Sequence, residues 1–424
     1  MREYGNQAGT MAGGTNSETN EECLTGISIP GKRNILFMMD QLCTAGGAER
    51  MLFKMIEGLS ARDFSCRLVT FKCDPEVELF RRPPCPLFVF PLRRTYDLNA
   101  LAVARKIREM IRLCRIDIVH TFHETSDLWG GMVARISGCP VLISSRRDMG
   151  IYRSRKHDVA YRILNRGFDA VLAVSEQVRK YCIEVDGFSP DKVVTVHNGV
   201  ELDRIDKERG AQCRRLLAIP QKAPVIITVG NLRRVKGVDV LLRAAAQICR
   251  EIPQSVFIVV GRTTENGHFE ELIRIKTALG LNGNVKFIGE RENVIPLLKA
   301  SDVFCLPSRS EGFSNALIEA MACGLPCLAT RVGGTSEALT DGVNGYLVEP
   351  DNPQLLADRL LQLIRLPEKA KQLGRAARQT IEQRFTYELM LRKVTDVYRR
   401  LIGPTVRAER DEISSVCGYT HIGQ

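Results

Sequence analysis

At 424 residues the chain exceeds the ~100–200 residues of a usual single domain, so two domains are expected. Apolar residues at 44% and charged residues at 26% are proportions of a folded globular protein and exclude a largely disordered chain. The net charge of +11 points to an anionic partner such as a phosphate-rich ligand, an acidic membrane surface or nucleic acid, and no apolar run approaches the ~20 residues that cross a bilayer.

Residues 1–32 lack the apolar core of a signal peptide, so they are expected to be disordered and the protein to be cytoplasmic. Short apolar strands then alternate with helical patterns, with strands expected at 34–39, 66–71, 87–90, 116–120, 141–144, 170–174 and 193–197. A charged stretch over 201–221 ends at Ile219-Pro220, where proline disfavours helix in its neighbour, and places the domain junction. The pattern restarts with strands at 224–229, 256–260, 285–288, 303–306, 327–329 and 345–348. Helical patterns at 354–364, 367–384 and 387–402 follow, then a polar tail over 403–424 that is expected to be disordered. The fold class is therefore α/β, with two doubly wound parallel sheets facing a cleft. The first, acceptor-side domain is expected at 33–208, the second, donor-side domain at 209–385, and a last helix at 386–402 packed back on the first. Cysteines are scattered singly, and the closest pair, Cys323 and Cys327, matches no zinc spacing; they are expected to be reduced and mostly buried.

The segment richest in chemistry is Glu311-Gly-Phe-Ser-Asn-Ala-Leu-Ile-Glu319, which follows a strand and opens a helix. The helix is apolar except at Glu319 and is expected to be buried on all sides, so that this carboxylate needs a partner such as the vicinal hydroxyls of a ribose. Glu311 stands earlier, in the loop at the helix mouth, where the backbone N–H groups of Gly312, Phe313 and Ser314 can hold an anion or a sugar. A capping carboxylate plus a buried ion pair is the bland alternative. Strand 224–229 runs into Gly230-Asn-Leu-Arg-Arg-Val-Lys236-Gly237, a glycine turn carrying cations beside a helix start, which suits a diphosphate. Near the amino end, Gly46-Gly47-Ala-Glu49 lets a ligand approach the backbone, and strand 116–120 ends in His120-Thr-Phe-His123-Glu124.

Taken together, Glu311 to Glu319 with Gly312, Phe313, Asn315, Gly324, Pro326 and Gly333-Gly334 resembles the Glu-x7-Glu motif of retaining glycosyltransferase family 4, of the GT-B fold. The resemblance runs over roughly residues 33 to 402. It implies that Glu311, Lys236 and His123 are the catalytic residues, with His120 as the alternative to His123. Glu311 would position the donor sugar and Glu319 bind the ribose, while Gly312, Phe313, Ser314 and Asn315 touch sugar and phosphate and Gly47 lies against the donor phosphates. Many relatives carry arginine where this chain has Asn231, so the second cation beside Lys236 would be Arg233 or Arg234. The implied donor is a nucleoside-diphosphate sugar, with no cofactor and no bound metal, and the implied acceptor a glycan or lipid-linked molecule. Basic runs in the first half, Arg146 and Arg147 to Arg166 and Arg105 to Arg115, add an anionic membrane surface as an expected partner and a peripheral place at the inner face of the cytoplasmic membrane. The alternatives are a nucleotide-sugar epimerase or hydrolase of the same fold and a non-catalytic nucleotide-sugar-binding subunit. A dinucleotide oxidoreductase is disfavoured because no Gly-x-Gly-x-x-Gly opens either domain, and nucleic-acid binding has only charge in its favour.

Overall fold

The computed structural model describes residues 31–150, 153 and 155–403. The terminal segments expected to be disordered, 1–32 and 403–424, lie outside the described residues apart from 31, 32 and 403.

The first sheet comprises β1 (Arg33–Met39), β2 (Phe64–Thr70), β3 (Leu87–Val89), β4 (Ile118–Phe122), β5 (Val141–Arg146), β6 (Ala170–Ala173) and β7 (Val193–Thr195). All are parallel, in the order β3-β2-β1-β4-β5-β6-β7. The second comprises β8 (Val225–Val229), β9 (Val256–Val260), β10 (Val285–Phe287), β11 (Val303–Leu306), β12 (Cys327–Thr330) and β13 (Tyr346–Val348), in the order β10-β9-β8-β11-β12-β13. Central strands such as Ile35 to Met39 are fully buried because helices cover both faces, which is why they read in the sequence as continuous apolar runs. These helices include α1 (Gly47–Ser60), α2 (Leu98–Leu113), α3 (Gly131–Ile136), α4 (Arg155–Leu164), α5 (Glu176–Glu184), α6 (Val238–Glu251), α7 (His268–Ala278), α8 (Asn315–Ala322), α9 (Pro353–Arg365), α10 (Pro367–Arg384) and α11 (Tyr387–Ile402).

Strand order reverses between β1 and β4 in the first sheet and between β8 and β11 in the second. In open α/β sheets the crevice beyond the carboxyl ends of strands at such a point is where ligands bind. The loops that matter are thus those after β1 and β4 on one side and after β8 and β11 on the other.

The chain passes between the domains twice, and the two passages are stitched together. Val200 donates its N–H to the Phe385 carbonyl and accepts from Tyr387. Gly199 is required there, since a Cβ would sit 2.4 Å from the Thr386 oxygen. α11 then packs on the first domain, its Tyr398 fully buried and 2.6 Å from Nδ1 of His120.

Two expectations are corrected. The fourth strand runs from Ile118 to Phe122, two residues later than 116–120, because Arg115 adopts a left-handed conformation (φ 45°) and the Asp117 carboxylate binds the backbone N–H of Asn34. Helix α8 is not fully buried on all sides: Asn315, Ala316 and Glu319 are only partly buried along one stripe, because that face is turned away from the two sheets' cores. Glu311, in the loop at the helix mouth, is itself buried, at 7% exposure.

Candidate functional site

Glu311 lies in the loop after β11, and its Oε1 accepts from Ser308 Oγ at 2.6 Å and from Lys236 Nζ at 2.7 Å. Three glycines make that position possible. A Cβ on Gly312 would lie 2.0 Å from the Arg147 carbonyl oxygen of the first domain, one on Gly333 1.6 Å from the Glu311 oxygen, and one on Gly334 2.5 Å from that of Gly312. The Glu311-Gly312 peptide is therefore clamped between the β12 loop and the first domain. Ser314 caps α8 through the Leu317 N–H, and Phe313 is buried between the rings of His197 and Phe385.

Lys236 ends a tight turn after β8, with Gly237 left-handed (φ 64°) because its backbone meets the Pro307 carbonyl. The lysine stem crosses Gly230, where a Cβ would stand 3.7 Å from its methylenes. The loops after β8 and β11 are thus packed together, and an ion pair joins residues 75 apart in sequence. Arg309 fixes the same two loops by gripping Asp239 through two nitrogens and the Arg234 carbonyl through one.

The neighbouring cations are occupied elsewhere. Arg233 reaches Glu265 at 3.4 Å, and the Arg234 guanidinium, largely exposed, pairs with Glu271 on α7 at 2.5 Å. Asn231 is half-buried in the same turn. On α8, the Glu319 carboxylate has no side-chain hydrogen bond or ion pair among the described residues. Burial raises its pKa, only partly countered by Lys54, Arg204 and Arg50.

From the first domain, Gly47 opens α1 directly against this site: its carbonyl accepts from Asn315 Nδ2 at 3.1 Å. Asn315 also accepts from Asn198 at 2.5 Å, and Asn198 accepts from Arg147 at 2.6 Å. This chain of polar contacts crosses the interface, and sequence reasoning missed two of its links. Asn198, in an Asn-Gly turn pair, was not among the candidate site residues, and Arg147 was only one of a run of basic residues. The available signal for Arg147 was its place just past the carboxyl end of a strand. Its pKa is lowered to about 10 because burial disfavours its charge more than Glu49 and Asp148 support it.

The two histidines separate cleanly. His120 is fully buried, held by Tyr398 and Ser145 at 2.9 Å, with its pKa lowered to about 3 by burial first and by the nearby Arg147 charge second. His123, left-handed at φ 71°, lines a cavity of roughly 570 Å³ at the carboxyl edge of the first sheet. The structure therefore gathers Glu311, Lys236 and Gly312 on one wall, places Gly47 against Asn315 across the interface, sets His123 in the first-domain cavity, and draws Arg234 away toward α7.

Residues 45–204 match a family model described as Glycosyltransferase Family 4, and residues 212–380 one described as Glycosyl transferases group 1. The chain is 32% identical over 289 residues to a D-inositol 3-phosphate glycosyltransferase of Catenulispora acidiphila, covering 62% of this chain and 67% of the relative. It is 31% identical to the N-acetyl-alpha-D-glucosaminyl L-malate synthase of Bacillus anthracis over 54% of this chain; that match spans 59% of the relative's length, under two thirds of it. Among solved structures, Anabaena HepE in complex with UDP superposes with a TM-score of 0.76 at 25% identity over 86% of this chain and 99% of that one. A glycosyltransferase from Rickettsia africae does so with a TM-score of 0.78 at 22% identity, over 88% of this chain and 100% of that one. Two parallel-sheet domains meeting at their switch points are the GT-B arrangement.

Proposed function

The chain belongs to glycosyltransferase family 4, and from that membership we propose that it transfers a sugar from a nucleoside-diphosphate sugar to a glycan or lipid-linked acceptor, with retention at the anomeric carbon and without a bound metal. The observation that carries this reading is the Lys236–Glu311 pair at 2.7 Å, held where the switch-point loops of the second sheet meet. HepE has been crystallised with UDP and with UDP-glucose, so a uridine diphosphate sugar is the first donor to test.

In this reading the diphosphate of the donor seats beside the Gly230–Gly237 turn. Lys236 then exchanges its carboxylate partner for the phosphate and stabilises the negative charge that grows on the leaving group as the glycosidic bond breaks. Released from the lysine, Glu311 turns its oxygens to the sugar hydroxyls. Glu319, without a partner of its own, accepts from the ribose hydroxyls and regains what its burial costs. His123 faces the sugar from the opposite wall. The backbone N–H groups at the start of α8 and at Gly47 complete the cradle.

A peripheral place at a membrane has its own support. Among the described residues Tyr96, Leu98, Leu101 and Ile136 are exposed apolar side chains in one groove between α2 and α3, and Arg105 and Arg108 stand beside them. Co-sedimentation with vesicles of phosphatidylglycerol at low salt tests that part.

The central test incubates the full chain with a panel of nucleotide sugars and follows nucleoside-diphosphate release and acceptor products. Binding of one donor, with turnover abolished in Glu311→Ala while binding persists, supports the reading. A wild-type protein that binds no nucleotide sugar would overturn it.

A further inference from the structure

Ser175 caps helix α5 of the first domain by accepting from the Val178 N–H, which leaves the N–H groups of Glu176 and Gln177 for another acceptor. That acceptor comes from the second domain. Glu337, on the single helical turn Thr335–Ala338, takes the Glu176 N–H on one carboxylate oxygen at 2.9 Å and the Gln177 N–H on the other at 3.2 Å. Its Oε2 also meets Nε2 of His197 at 2.6 Å, and because a carboxylate only accepts, that nitrogen carries the proton. Burial alone would raise the pKa of Glu337, but the His197 bond and the two N–H groups hold it below the ordinary carboxylate value, so the group stands charged at the positive end of α5.

This contact leads back to the transfer site by two short routes. Three residues before Glu337, Gly334 donates its N–H to the Gly312 carbonyl at 3.0 Å, and a Cβ there would stand 2.9 Å from both the Phe313 ring and the Ser175 Cβ. The His197 ring packs on Phe313 at 4.9 Å and on Phe385 at 5.2 Å between centroids. The loop 311–313 is thus held on one side by Gly334 and on another by His197. Glu337 bonds to the histidine directly and to the helix end against which Gly334 is packed. Its three bonds are all made to the first domain, so it acts on the reacting groups only through these neighbours.

We propose that Glu337 is a positioning residue for sugar transfer: by docking on α5 and His197 it holds the loop 311–313 in the place that Lys236 and the donor require. The proposal rests on the transferase reading above. A carboxylate that only joined the two domains would lower the melting temperature when removed, without loosening that loop.

The experiment compares the full wild-type chain with Glu337→Ala and Glu337→Gln, by steady-state kinetics with the donor that turns over and by hydrogen exchange of two segments, 175–178 and 311–314. Glu337→Ala is expected to lower kcat between about tenfold and a hundredfold, the scale of a small misplacement made far from the chemistry, with KM for the donor within about twofold because Lys236 and Glu319 are untouched. Both segments should exchange faster. Glu337→Gln, which keeps one acceptor oxygen, should recover part of each loss. Arg331→Gln, an exposed neighbour paired with Glu349, should change neither readout. An unchanged kcat in Glu337→Ala overturns the inference, and so does faster exchange confined to 175–178. If Glu337→Ala does not fold, Glu337→Gln decides: a lower kcat with faster exchange at 311–314 supports the role, and wild-type values overturn it. If the wild type binds no nucleotide sugar, the transferase reading fails separately. Exchange at 311–314 then decides alone, faster in Glu337→Ala supporting the positioning role and unchanged overturning it.

Discussion

The two walls of the cleft handle charge in opposite ways. On the second-domain wall every cation near the switch point already has an acid: Lys236 has Glu311, Arg234 has Glu271, and Arg309 has Asp239 and Asp351. On the first-domain wall the ions divide into a deep cluster around Arg146, balanced in charge but short of hydrogen bonds, and an outer pair, Lys72 and Arg147, that forms no ion pair among the described residues, although Glu49 and Asp148 support the Arg147 charge from farther off. A paired lysine can release its partner when a phosphate arrives and take it back afterwards. Arg147, bonded to the neutral Asn198, holds no carboxylate in a direct ion pair among the described residues. The difference is between a wall whose cations are tied to acids and one whose outer cations form no such pair among the described residues.

The contrast is broken most severely at the deep cluster. Replacing Arg146 by Met leaves Asp127 buried without its counter-charge, while Asp186 keeps Arg153 at 2.9 Å, and removing one partner of a buried pair costs about 3–5 kcal/mol. Urea unfolding should show that loss; a change within error would mean that water reaches the cluster. Next in size is Lys236→Ala, expected to lower kcat by roughly 10²–10³ if the lysine stabilises the departing diphosphate. Steady-state kinetics decide it, and an unchanged kcat with a raised KM would reduce Lys236 to a binding residue.

His120 gives the first wall a pH dependence of its own. Its folded pKa of about 3 lies below the unfolded value near 6.5, so the unfolded chain takes up the proton first. The stability contributed by the neutral ring is complete above pH 6.5 and falls as pH drops toward 3, by about 2 kcal/mol at pH 5. His120→Gln should flatten that part of the stability–pH curve, and identical slopes would place the acid sensitivity elsewhere. Glu319 works in the opposite sense. Burial raises its pKa, so its contribution is favourable at low pH and is lost as pH rises through the folded value. Glu319→Gln should therefore melt higher than wild type at neutral pH, yet bind the donor roughly tenfold more weakly for want of a charged acceptor. Weaker binding without a gain in stability would show that the carboxylate has a partner in solution.

These residues also show how far the sequence could be read. Parallel strands buried on both faces, such as Ile35–Met39, stand out as apolar runs, and the candidate site on the second domain was legible because Glu311 to Glu319 is one contiguous segment. The fourth strand was set two residues early because nothing in the local pattern shows that Arg115 turns left-handed or that Asp117 spends its carboxylate on Asn34. That shift of two made His120 a candidate, although its ring is sealed by Tyr398, a residue 278 positions away. The polar chain from Arg147 through Asn198 and Asn315 to Gly47 draws on four separate segments, so no spacing rule could have assembled it. What the sequence carries well is the motif, and what it conceals is the partner.

The smallest expected effect tests that last distinction. Arg233 and Arg234 were equal candidates for the second cation beside Lys236, since both lie in the same turn. The structure ties Arg234 to Glu271 with its side chain 63% exposed, and exposed ion pairs contribute little because water screens them and two long side chains must be ordered. Arg234→Gln should thus leave melting unchanged and kcat/KM within about twofold, the usual scale for a surface site away from the chemistry. Arg233→Gln, in the half-exposed position facing Glu265, should lower kcat/KM further than that. If Arg234→Gln instead lost a hundredfold, the guanidinium must leave Glu271 when the donor binds. The second-domain wall would then rearrange at two cations rather than one, which would sharpen the contrast with the outer cations opposite.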